Sequence, residues 1–156
     1  MSSSSSPAIT AGVDVRGPRF TAWVTSAVLT AILVISAFSP VAAAIALGLQ
    51  TVVFAIGAFA GPRRHPYGLV FATVVAPRLG PVREREPIPP LKFAQLLGFF
   101  FAASGVVGLA VGPLVVGTVA TALALVAAFL NAAFGICLGC ELYPLAARLR
   151  RSPGAA

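Results

Sequence analysis

A chain of 156 residues that is 58% hydrophobic and only 10% charged, with a mean hydropathy of +0.97, cannot clothe a soluble globule in polar surface. Its net charge of +7 would point to nucleic acid in a soluble protein. Here the cations flank apolar blocks, with no basic stripe of interleaved aromatics, so nucleic acid is set aside as a partner and the lipid bilayer takes its place.

In chain order, residues 1–13 open with a run of five serines and read as a disordered tail. Two blocks without Asp, Glu, Lys or Arg follow, 20–62 and 93–140. Each is too long for one crossing and carries a turn signal, Ser39-Pro40 in the first and Gly112-Pro113 in the second. Division there gives spans at about 20–39, 41–60, 93–111 and 114–135, each close to the 20 residues that cross a hydrocarbon core. A cleaved leader ending near Ala42, Ala43 and Ala44 is the competing reading of the first span. Its apolar stretch is longer than a leader's, and another follows at once, so an uncleaved span is expected. The expected fold is all-α, a polytopic membrane protein of four transmembrane helices arranged as two hairpins. Residues 14–144 form the membrane domain and 145–156 a basic cytoplasmic tail.

The cations sort to one side. Arg16 and Arg19 precede the first span, Arg63, Arg64, Arg78, Arg83, Arg85 and Lys92 lie between the second and third, and Arg148, Arg150 and Arg151 follow the fourth. Neither short turn holds any, which places both termini and the loop 61–92 in the cytoplasm, in a multi-pass protein of the inner membrane. Within that loop, residues 66–76 are apolar but too short to span, and predict a short interfacial helix with Tyr67 near the headgroups. Pro81, Pro87, Pro89 and Pro90 then predict an extended connector carrying Arg83, Glu84, Arg85 and Glu86, a solvated linker or a docking surface for a cytoplasmic protein. The offset that carries Phe20 onto Phe93 also carries Pro40 onto Pro113, as a duplicated hairpin would. Small residues predict close helix seams: Gly57 and Gly61; Ser104, Gly108 and Gly112; and Ala120, Ala124, Ala128 and Ala132. The same stripes would serve a homo-oligomer. Gln50, Gln95 and Asn131 should face other helices or the interface.

One chemical constellation stands out, Cys137-Leu138-Gly139-Cys140 followed by Glu141. As a redox dithiol the pair has the spacing of thiol exchange. A position at the C-terminal end of the fourth helix, beside Glu141, would work against a thiolate. As a metal site it would need His65, the chain's single histidine, and Glu141 to join Cys137 and Cys140. As plain structure, the two thiols pack at a helix end while Gly139 lets the chain bend. No phosphate loop, nucleophile–base pair or intramembrane carboxylate pair accompanies them, and no cofactor is expected.

Four stretches together carry a resemblance: Gly17-Pro18-Arg19-Phe20, His65-Pro66-Tyr67-Gly68, Pro89-Pro90-Leu91-Lys92-Phe93-Ala94-Gln95 and Cys137-Leu138-Gly139-Cys140-Glu141-Leu142-Tyr143. They resemble a bacterial family of integral membrane proteins, domain of unknown function 4395, over about 13–143. The C-terminal stretch is the most specific of the four. The family pattern favours Asn where Thr21 stands and Arg where Lys92 stands. The resemblance implies a four-helix inner-membrane protein with a link to sulfur or thiol metabolism. It implies no activity and no catalytic residues. The leading expectation is a non-enzymatic structural or docking component. Second stands a thiol-redox or sulfur-handling protein using a cytoplasm-facing Cys137 and Cys140, of thiol–disulfide oxidoreductase type if it is an enzyme.

Overall fold

Four helices account for the apolar blocks: α1 (Arg16–Ser36), α2 (Pro40–Ala60), α4 (Ile88–Ala110) and α5 (Leu114–Phe134). The computed structural model describes residues 12–151, so the serine run and the last residues of the basic tail lie outside it. At about 1.5 Å per residue each helix is roughly 30 Å long, enough to cross a hydrocarbon core. All four carry an apolar window suited to a membrane span.

Local chemistry sets the helix ends. Asp14 accepts the Arg16 N–H at 3.0 Å and pairs with its guanidinium at 2.7 Å, so α1 starts at Arg16 rather than at Phe20. Ser39 caps α2 by accepting the Ala42 N–H at 3.3 Å, with Pro40 in the first turn. The proline-rich connector departs from the extended reading at its end. Pro87 precedes α4, and Pro89 and Pro90 fall within its first turn, where a missing N–H costs no intrahelical bond. Helix α5 ends at Gly135, whose φ of 70° is the left-handed conformation that glycine adopts freely.

Around the bundle the order is α1, α2, α4, α5, with α5 closing back on α1. Every neighbouring pair is antiparallel. One end of the bundle therefore gathers the starts of α1 and α4, the ends of α2 and α5, and the cations flanking them. Leu29, Ile32, Leu47, Phe54, Ala102, Leu109 and Ala124 form the core. Leu49, Val52, Val107, Val119 and Val126 point outward and are exposed. Helices apolar on their outer as well as their inner faces belong in lipid. The chain is a multi-pass membrane protein.

The third-helix seam differs from the predicted one. Ser104 and Gly112 are exposed, whereas Ala102, Gly105 and Gly108 are buried. A Cβ on Gly105 would stand 2.7 Å from Leu47 and 3.0 Å from the Thr121 hydroxyl. Gly108 meets the backbone of Gly117, and a Cβ there would lie 2.6 Å from the Gly117 Cα. The four-residue spacing points one face away from the contact. Gly57 does lie in a seam, with Ala120, Ala124 and Ala132 on the buried face of α5.

The connecting loop is helical from Pro66 to Arg78, as α3 (Pro66–Val70) continued by wider and then tighter turns. It packs back onto α1, with Phe71 buried 5.8 Å from Phe20. Tyr67 turns inward and donates its hydroxyl to the buried Gln50 side chain at 2.7 Å. Farther along, β1 (Val13–Asp14) pairs antiparallel with β2 (Arg85–Glu86), Val13 opposite Glu86 and Asp14 opposite Arg85. Residues 12 and 13 are thus part of the fold, and Gly12 is buried against the Glu86 carbonyl.

Candidate functional site

The chain does not run straight from the fourth span into the cysteines. After Gly135 it turns and starts a new helix, α6 (Leu138–Arg151). Cys137 stands just before α6, with its carbonyl accepting the Glu141 N–H at 3.0 Å. Its sulfur accepts the Cys140 N–H at 3.3 Å, the bond an N-cap side chain makes to an otherwise orphaned donor. This corrects the placement of the pair at a helix C-terminus. The helix break lies at Gly135, earlier than the bend expected at Gly139. Cys137 consequently faces the end of a helix dipole that favours negative charge on sulfur. Glu141, in the first turn of α6, opposes that field in part.

Cys137 and Cys140 are joined as a disulfide, with Cα atoms 5.2 Å apart, and both are partly buried. Close packing holds α6 across the start of α4. Gly139 lies against Ala94, where a Cβ would overlap it. The Tyr143 ring meets Phe93 at 6.0 Å. Ala94 follows Lys92 closely, so the pair sits near the depth at which the lysine marks the membrane surface. Pro144 lies inside α6 and cannot donate to the Cys140 carbonyl. The helix runs on with Leu142, Leu145 and Leu149 exposed and Arg148, Arg150 and Arg151 in its last turn.

Beneath the pair lies a cavity of about 300 Å³ among α1, α4, α5 and the start of α6, with Cys137, Leu138 and Gly139 in its wall. The wall is mainly apolar. Thr21, Thr25, Gln95 and Asn131 are its polar members. A second cavity, of about 420 Å³, opens at the basic end between α1, α3 and β2, lined by Asp14, Arg63, His65, Arg85 and Gln95. The two share the wall formed by Pro18, Thr21, Leu91 and Gln95.

His65 is almost wholly buried at 2% exposure, and neither ring nitrogen has a hydrogen-bond partner. Gly57 makes room for it: a Cβ there would meet the His65 ring at 2.7 Å and Gln95 at 2.8 Å. Burial pushes the His65 pKa down to about 4, against a smaller opposing pull from Gln95. Among the described residues no three of His, Cys, Asp or Glu stand together as metal ligands. His65 thus belongs to the second cavity, and the set Cys137, Cys140, His65 and Glu141 is not assembled.

A pH dependence follows. Between pH 6.5 and about 4 the unfolded chain binds a proton at His65 that the folded chain refuses. The histidine's contribution is therefore complete above pH 6.5 and is lost as pH falls toward 4, by at most about 3 kcal/mol. Burial raises the Glu86 pKa, which acts in the opposite sense, and Asp14, lowered chiefly by its bond from Arg16, matters only at more acid pH. Thermal unfolding in detergent should show wild type losing stability from pH 7 to 4.5. His65→Gln should be flatter over that interval. Equal slopes would show that the buried imidazole is not the group responsible.

The sequence points to the two cysteines but misplaces their helix, and it gives no hint that His65 meets Gln95 across Gly57. One signal for the helix break does stand in the chain: Gly135, the residue type that ends helices in left-handed conformation, directly follows the apolar run. No curated protein and no solved structure matches the chain. A family model does match, over residues 13–148, a stretch that takes in both the helical membrane bundle and the cysteine-bearing end; the chain belongs to the family described as Domain of unknown function (DUF4395).

Proposed function

We propose that this protein is a thiol–disulfide exchange protein of the inner membrane, working through Cys137 and Cys140 at the cytoplasmic face. The observation that carries the reading is Cys137 at the N-cap of α6, its sulfur held by the Cys140 N–H. In the reduced protein the Cys137 thiolate attacks a sulfur of a partner disulfide, and one partner sulfur leaves as thiolate. Cys140 then gives up its proton and attacks Cys137, forming the internal disulfide and releasing the second partner sulfur. Two electrons pass to the partner, and the reverse sequence returns them. The basic end supports the cytoplasmic orientation, with Arg63, Arg64, Lys92 and the α6 arginines near it. The docking reading gains less from the geometry, since Arg85 of the connector is engaged internally, bonding the Gly12 carbonyl at 3.2 Å.

Alkylation tests both the chemistry and the orientation. Purified, reduced, metal-free protein should lose Cys137 rapidly to iodoacetamide at pH 7, and Glu141→Gln should be faster still. Slow reaction that rises only in alkali would refute the exchange reading. In intact cells, Gly112→Cys in a background lacking both native cysteines should react with a membrane-impermeant maleimide. Arg83→Cys in that background should react only after lysis. The reverse pattern would turn the protein over in the membrane.

A further inference from the structure

We infer that the cavity beneath Cys137 binds a lipid-soluble quinone, which accepts two electrons from the dithiol; this rests on the exchange reading above. The first argument is access. Phe101, Leu123 and Val126 line the cavity and are also exposed on the outer faces of α4 and α5. The space therefore communicates with hydrocarbon, while Cys137 closes its end near the surface. An electron carrier that reaches the sulfur by this route must dissolve in lipid.

The second argument is the polar chemistry of the wall. Ser26 and Thr30 of α1 return their hydroxyls to carbonyls four residues back, at 2.8 Å each, as side chains do when nothing else is offered. Thr21 and Thr25, one and two turns into the same helix, do not. Thr25 is 3% exposed and Thr21 is 7% exposed. Among the described residues neither hydroxyl makes a hydrogen bond, and both line the cavity. Gln95 also borders this wall, but its carbonyl oxygen is sealed from the cavity. Unmet hydrogen-bonding groups are costly at membrane depth, so an occupant should carry groups that meet them. An acyl chain cannot. A ring with carbonyl oxygens can accept from the threonine hydroxyls, and once reduced it can donate to their oxygens.

The reaction balances without another reagent. The two thiols lose two protons and two electrons, and an S–S bond forms between Cys137 and Cys140. The quinone takes up both, its two carbonyls becoming the hydroxyls of a hydroquinone. Electrons entering from a cytoplasmic thiol partner would thus leave into the membrane.

The test uses reduced full-length protein in detergent with ubiquinone-1, whose fully substituted ring leaves no open position for thiol addition. Quinone absorbance should fall by one equivalent per protein as the disulfide forms. Thr25→Val, which keeps the shape and removes the hydroxyl, should raise the quinone concentration for half-maximal rate by about tenfold. Ala128→Phe, which fills the cavity, should abolish the reaction. Both variants should react with the aqueous disulfide DTNB as fast as wild type. Oxidation by DTNB without oxidation by quinone would overturn this inference and leave the exchange reading standing. Equal oxidation of the dithiol by quinone in wild type and both variants would place the reaction outside the cavity and also overturn it. Failure with DTNB as well would remove the exchange reading and the quinone with it.

Discussion

Gly108→Leu should abolish folded protein, and Gly108→Ala alone should cost about 1–3 kcal/mol or more. A Cβ at Gly108 would overlap the Gly117 backbone and stand 3.1 Å from the carbonyl carbon of Val116. Backbone atoms cannot rotate away as a side-chain end can. Relief requires α4 and α5 to separate, yet the turn joining them, from Val111 to Pro113, allows little motion. Separation would also lift Gly117 from Leu109 and Gly105 from Thr121, contacts equally shaped to the absence of a side chain. In lipid, apolar surface gains nothing by leaving water, so packing at such seams is what holds the helices together. Gly48 supplies the control. It sits within α2, and a Cβ added there would have nothing within 4 Å, so Gly48→Ala should be neutral or stabilising by up to about 1 kcal/mol. Size-exclusion profiles of detergent extracts and midpoints of heat-induced aggregation separate the two positions. Equal tolerance at Gly48 and Gly108 would dismiss the seam.

The physical reasons for what can be read from the chain are specific. Uninterrupted apolar length, broken at Ser39-Pro40 and Gly112-Pro113, reports the four helices directly, because a bilayer imposes a minimum span. Side choice along a membrane helix is harder. In a soluble helix the polar face identifies the buried one, whereas α4 is apolar all round. Spacing alone groups Ser104, Gly108 and Gly112, although the packed face runs through Ala102, Gly105 and Gly108. The site is hidden for a related reason. An α-helix continued through Gly135 and one ended there share the same residues, and only the left-handed turn decides between them. That single turn moves Cys137 from one pole of a helix dipole to the other. Of the polar groups of the cavity, Gln95 and Asn131 stand out in the chain, whereas Thr21 and Thr25 read as ordinary helix residues until their hydroxyls are seen to lack the usual carbonyl partner.

The two cysteines should prove unequal, and this carries the largest expected effect on activity. With oxidised glutathione as probe, Cys140→Ser should accumulate a mixed disulfide on Cys137, one glutathione per protein by intact mass. Wild type should instead pass on to the internal disulfide and release both glutathiones. Cys137→Ser should react at least about a hundredfold more slowly. The asymmetry comes from the start of α6: the Cys137 sulfur receives the Cys140 N–H at the positive end of the helix, while Cys140 lies within the first turn and is not the cap. Resolution comes from proximity. Cα atoms 5.2 Å apart present Cys140 to a mixed disulfide at an effective concentration that free thiols do not reach, so its loss arrests the cycle at the intermediate. Glu141→Gln should hasten the first step and leave the resolved product unchanged, because it removes an opposing charge without altering the spacing. Equal glutathione capture by the two single variants would show that the N-cap does not select the nucleophile. A wild-type protein that stops at the mixed disulfide would show that Cys140 does not resolve it.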